Sequence, residues 1–219
     1  MSGGAIAGAL LADGYEPAEI MDIFGKMTFT EFTGFVSPHL GLFNTNRLQT
    51  ILKKNIRVQH FEDLKTPLIV IASDFDHGKA VAFSKGPLYE AIAASCSIPA
   101  LFEPTLIKGT HYVDGGLFKN FPVSTIREKA QTVIGINVNP DLLQETKKNI
   151  KNVIERCINF ALIANMREDE SLCDILIKPE KLKDYSIVDV KQAKKIYNIG
   201  YASAQKTIKE VGILPGLSV

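Results

Sequence analysis

At 219 residues the chain is long enough for one α/β domain with a sizeable core, and 46% hydrophobic against 22% charged residues excludes a disordered polymer. A net charge of +1, from 25 basic and 24 acidic residues, gives no electrostatic reason to expect a nucleic-acid partner. No run reaches the ~18 apolar residues of a membrane span, the first residues lack a signal-peptide pattern, and Cys96, Cys157 and Cys173 are too scattered for a disulfide framework or a zinc site. A reducing, cytoplasmic setting is expected, with no metal or organic cofactor and at most peripheral contact with membranes.

Gly3 to Ala12, small and apolar on all sides, predicts a helix buried against a sheet, ended by Gly14. A second helix is expected from Pro17 toward Gly25. Phe29 to Phe43 carries Phe29, Phe32, Phe35, Leu40, Leu42 and Phe43 without a sustained period, and reads as an ordered loop with an apolar face. That face either lines an acyl-chain entrance and touches lipid, or fills core beneath the loop. Asn44 or Thr45 can cap a third helix carrying Leu48, Ile51 and Leu52 to about Asn55. Thr66 to Ser73 is a strand covered on both faces, paired through Asp76-His77-Gly78-Lys79 with a strand at Ala80 to Phe83. A helix from Pro87 to Ala94 precedes the interruptions at Pro99 and Pro104, and Tyr112-Val113 leads into Asp114-Gly115-Gly116. Gln131 to Val138 reads as a strand, Lys147 to Arg167 as an amphipathic helix with a solvated lysine face, Asp174 to Ile177 as a strand, and Val190 to Val211 as a closing helix with Ala193, Ile196, Ile199 and Ala202 on one face. Alternating strands and helices predict a single α/β domain over 1–219 with a mainly parallel central sheet and helices on both faces.

Two places carry candidate chemistry. Ser2-Gly3-Gly4 runs directly into a buried helix, and a sharp turn at a helix N-terminus exposes a serine hydroxyl to backbone N–H groups that favour developing negative charge. Gly3 and Gly4 suit that turn through their freedom at positive φ. By itself such a start specifies no activity, and Asp114-Gly115-Gly116 is also ordinary turn chemistry. A carboxylate at a strand end, flanked by glycines, can nonetheless accept a serine proton directly. His39, His60, His77 and His111 read as loop or surface residues. His111 lies three positions before Asp114 in a strand, so its side chain diverges from that of Asp114 and is not assigned to a triad.

The order Ala94-Ser95-Cys96-Ser97-Ile98-Pro99-Ala100-Leu101-Phe102-Glu103-Pro104, Tyr112-Val113-Asp114-Gly115-Gly116 and Asn120-Phe121-Pro122-Val123 resembles the second half of patatin-like phospholipases, and Ser2-Gly3-Gly4-Ala5 resembles the end of that family's G-x-S-x-G elbow. The resemblance implies a three-layer αβα fold and a serine/aspartate dyad hydrolysing lipid carboxylic esters through an acyl-serine intermediate. Ser2 is then the nucleophile and Asp114 the base, with Gly3 and Gly4 at the oxyanion elbow and Gly115 and Gly116 in the supporting loop. Against the family pattern the N-terminal strand, the oxyanion loop and the first elbow glycine are missing, so the fold is expected to be N-terminally incomplete and poorly stable alone. A non-catalytic fragment or regulatory remnant is the alternative reading.

Overall fold

In a computed structural model, the structure describes residues 1–26, 34–35, 41–138, 150, 153, 156, 160, 162–185 and 192–212. The chain divides into two units, Met1–Asn120 and Phe121–Val219.

The first unit opens with α1 (Gly3–Ala12), which buries Ala5, Ile6, Ala9, Leu10 and Ala12. It closes in a Schellman turn: Tyr15 N–H donates to the Leu10 carbonyl at 3.1 Å and Gly14 N–H to that of Leu11 at 3.0 Å, with Gly14 at φ 90°. α2 (Pro17–Lys26) begins on proline, and the Glu19 carboxylate accepts the Glu16 N–H at 2.8 Å in the manner of a capping box. β1 (Gly34–Phe35) pairs antiparallel with β2 (Phe43–Asn44). The rest of the aromatic loop expected at Phe29 to Phe43, apart from the half-exposed Gly41 and Leu42, lies outside the described residues.

α3 (Asn46–Asn55) buries Leu48 and Leu52, and Asn44 Oδ1 accepts the Asn46 N–H at 3.1 Å. Thr45, at the N-cap itself, turns its hydroxyl to that of Thr105 at 3.1 Å. β3 (Val70–Asp74) is buried at every position, as a strand covered on both faces must be. α4 (Leu88–Ser95) buries every residue but Glu90. Val70 joins the apolar residues of α1, α3 and α4 in the main core cluster.

With β4 (Lys79–Phe83), β5 (Thr105–Ile107) and β6 (Thr110–Asp114), β3 forms a four-stranded sheet of order β4-β3-β6-β5 in which all neighbours are antiparallel. The β3–β4 hairpin is as expected, whereas the antiparallel β3–β6 and β5–β6 pairings depart from the mainly parallel sheet expected for this part of the chain. The physical cause lies in the connections: residues 75–78 and 108–109 are far too short for a parallel crossover, so β3–β4 and β5–β6 must fold back as hairpins. Lys108 at φ 49° and Gly109 at φ 86° form the two-residue turn whose twist suits a hairpin. The prolines on either side of Ala100–Glu103 hide β5 in the sequence.

In the second unit β7 (Ile134–Ile136) and β8 (Ile175–Ile177) pair in parallel, with Ile134 opposite Ile175. Between them Ile150, Val153, Arg156, Phe160 and residues 162–164 are helical. The expected lysine face at Lys147 to Lys151 falls outside the described residues apart from Ile150. α5 (Gly116–Lys119) in the first unit and α6 (Arg167–Ser171) in the second are short. α7 (Ala193–Val211) half-buries Ala193, Ile196 and Ile199, whereas Ala202, expected on the same face, is exposed. Phe121, Val123, Val133 and Met166 form a smaller core. The architecture is mixed α/β with a sheet flanked by helices, consistent with the αβα expectation. Among the described residues no helix is long and apolar enough to cross a membrane.

Candidate active site

Ser2 sits one residue before α1 at φ 51° and ψ −133°, a conformation that costs a non-glycine residue ~1–3 kcal/mol and persists only where the surroundings enforce it. Gly3 and Gly4 were expected to supply the positive φ; both instead lie in the helix, and the left-handed residue is Ser2 itself. A Cβ on either would meet nothing within 4 Å, so packing does not demand glycine at these two positions. Gly4 N–H donates to the Met1 carbonyl and Ala5 N–H to that of Ser2, while Gly3 N–H has no acceptor among the described residues and points from the positive end of α1.

The fold brings Asp114 to this turn. It ends β6 opposite Ala72, where its N–H donates to the Ser97 carbonyl at 2.9 Å and its carbonyl accepts the Ser73 hydroxyl at 2.9 Å. The carboxylate accepts the Gly116 N–H at 2.8 Å, and the Ser2 side chain is near enough to favour its ionised form. Asp114 is only 7% exposed, and burial pushes its carboxyl above the ordinary range, the Gly116 N–H and the Ser2 hydroxyl opposing this in part. Gly115 is obligatory here because a Cβ would collide with the Ile71 carbonyl of β3; at Gly116 a Cβ would come within 3.0 Å of Asp114 Oδ1 and Asn120 Oδ1.

The histidines stand apart from this pair. His111 Nδ1 faces Asp76 at 3.2 Å, His77 Nδ1 faces Asp74 at 2.9 Å, and His60 Nδ1 lies 3.7 Å from Asp63; His39 lies outside the described residues. Cys96 is buried, and desolvation together with the charge of Asp114 pushes its thiol far up, which keeps it neutral.

Sequence reasoning passed over three buried serines around the site. Ser73, Ser95 and Ser97 are all 0% exposed. The Ser95 hydroxyl accepts the Ser2 N–H at 3.0 Å and donates to the Ile71 carbonyl at 2.7 Å. The Ser97 hydroxyl donates to the Ala93 carbonyl at 2.9 Å and lies 2.9 Å from that of Thr105. The available signal was their position in otherwise apolar, buried runs, where a hydroxyl must find a partner.

A strained serine at a helix N-terminus, beside a buried carboxylate with raised basicity, is suited to nucleophilic attack on a carbonyl. The family model for patatin-like phospholipases matches residues 1–126, which contain every residue of this site. The uncharacterized protein YqhO of Bacillus subtilis (strain 168) is 32% identical over 190 residues, covering 70% of this chain and 65% of its own length. An uncharacterized protein of Acanthamoeba polyphaga mimivirus is 25% identical over 190 residues, covering 75% and 63% respectively. An uncharacterized NTE family protein of Mycobacterium bovis is 29% identical over 100 residues, covering 45% and 28%. The chain thus spans less than two thirds of the length of these relatives. A family match over more than half of its residues, enclosing the Ser2 turn and the Asp114 loop, makes this chain a member of the patatin-like phospholipase family.

Proposed function

We propose that the chain is a lipid acyl hydrolase in which Ser2 is the nucleophile and Asp114 the general base. The observation that carries this reading is the strained Ser2 turn brought beside the buried Asp114 carboxylate, whose ionised form the Ser2 side chain favours. Asp114 takes the hydroxyl proton as Ser2 Oγ bonds to the acyl carbon, and the carbonyl oxygen gains negative charge beside the Gly3 N–H. The ester C–O bond then breaks, the departing alkoxide takes the proton from Asp114, and an acyl-Ser2 ester remains. Water attacks that ester, gives a proton to Asp114, and releases the carboxylic acid as Ser2 Oγ recovers its proton. Burial of Asp114 favours this chemistry, because a carboxylate with a raised pKa is a stronger base than a solvated one.

A fluorophosphonate probe tests the reading directly. Labelling of the chain should map to Ser2 by peptide sequencing and vanish in Ser2→Ala. A parent chain that remains unlabelled, or labels at another serine, refutes Ser2 as the nucleophile.

A further inference from the structure

The Ser2 turn raises a question of support: a non-glycine residue at φ 51° needs something to hold it there. Its own helix does not, because the Ser2 N–H points away from α1. That N–H instead reaches 93 positions along the chain to a single residue, donating to the Ser95 hydroxyl at 3.0 Å and to the Ser95 carbonyl at 3.2 Å. The same hydroxyl donates onward to the Ile71 carbonyl at 2.7 Å, so its acceptor and donor capacities are both used and its rotamer is fixed. The Ile71 carbonyl is in turn the group against which Gly115 packs, next to Asp114. One buried hydroxyl therefore ties the serine turn to the strand on which the Asp114 loop rests.

We infer that Ser95 is a positioning residue that clamps the Ser2 amide and so aims the Ser2 hydroxyl at Asp114. The inference rests on the proposed roles of Ser2 and Asp114 and adds a device that those roles do not require. Ser95 touches neither substrate nor the reacting atoms. Ser97 is the natural control: it is equally buried, two residues on, and although its carbonyl accepts the Asp114 N–H, its hydroxyl, the group that Ser97→Ala removes, serves Ala93 and Thr105 and not the Ser2 turn.

The experiment compares Ser95→Ala and Ser97→Ala by hydrolysis of a short-chain p-nitrophenyl ester and by hydrogen exchange of the Ser2 amide, measured by NMR. Misplacing a nucleophile by about 1 Å can cost about 10²-fold, so Ser95→Ala should lower kcat by about that factor with KM unchanged, while Ser97→Ala leaves kcat near the parent value. Exchange of the Ser2 amide should quicken by about tenfold in Ser95→Ala and not in Ser97→Ala. Equal effects of the two variants on both readouts would overturn the clamp. If Ser2→Ala hydrolyses the ester as well as the parent does, the reading of Ser2 as nucleophile fails, and the exchange comparison alone decides whether Ser95 holds the turn. Should Ser95→Ala not fold, Ser95→Cys keeps the volume, offers only a weak acceptor, and is read by the same two criteria.

Discussion

At the scale of single residues, the chemistry and the stability of Asp114 pull in opposite directions. A carboxyl whose pKa is raised in the folded state holds its proton more tightly there than in the unfolded chain. Its ionisation therefore opposes folding, with a penalty that appears as pH rises through the unfolded value of ~3.9 and is complete above the folded value. Asp114→Asn should accordingly abolish ester hydrolysis while leaving the thermal midpoint at pH 7 unchanged or higher, measured by calorimetry beside the parent. The same direction of shift predicts that kcat/KM of the parent climbs with pH along a limb lying above the usual carboxylate range, since the base must be ionised. Gly115→Ala is the opposite case. Its Cβ has nowhere to go against the Ile71 carbonyl, and a loss of ~1–3 kcal/mol is expected in urea unfolding, with activity falling as the Asp114 loop shifts.

At the scale of elements, the hairpins decide the architecture of the first unit. Lys108 occupies a left-handed position at φ 49° that asparagine adopts more readily, so Lys108→Asn should stabilise the β5–β6 hairpin by ~1 kcal/mol in the same urea assay. Asp76 ties the β3–β4 turn to β6 by accepting the His111 N–H at 2.8 Å. That N–H first, and the His111 ring after it, hold the Asp76 carboxyl below the ordinary range. Its contribution is present above the unfolded carboxylate pKa and is lost as pH falls through the folded one, so Asp76→Asn should flatten the acid limb of the stability curve. Removal of Leu10 from the α1 contact with the core, as Leu10→Ala, should cost ~2–5 kcal/mol, because this side chain is 1% exposed and lies within the main core cluster.

At the scale of the whole molecule, most element positions were legible in the residues. Gly14, Pro17, Glu19 and Asn44 act through backbone dihedrals and hydrogen bonds that reach only a few positions, and the apolar spacing of α3 and the continuous run of β3 follow from burial alone. The pairing of Ser2 with Asp114 was expected only through resemblance to a family, because nothing local to either residue points to the other. The hairpin through Asp76 to Lys79 was legible from its turn residues, whereas the β5–β6 hairpin and the antiparallel β3–β6 pairing were not, because β5 is masked by its neighbouring prolines. What the sequence by itself determined is therefore what short-range forces control, namely where helices start and stop, which strand is buried, and which residues are chemically able to act. The tertiary structure alone decided that Ser2 rather than its glycines takes the left-handed conformation, that Asp114 is buried enough to gain basicity, and that Ser95 holds the turn between them. Each of these depends on partners tens of positions away, brought into hydrogen-bonding distance only when the sheet and its helices close around one core.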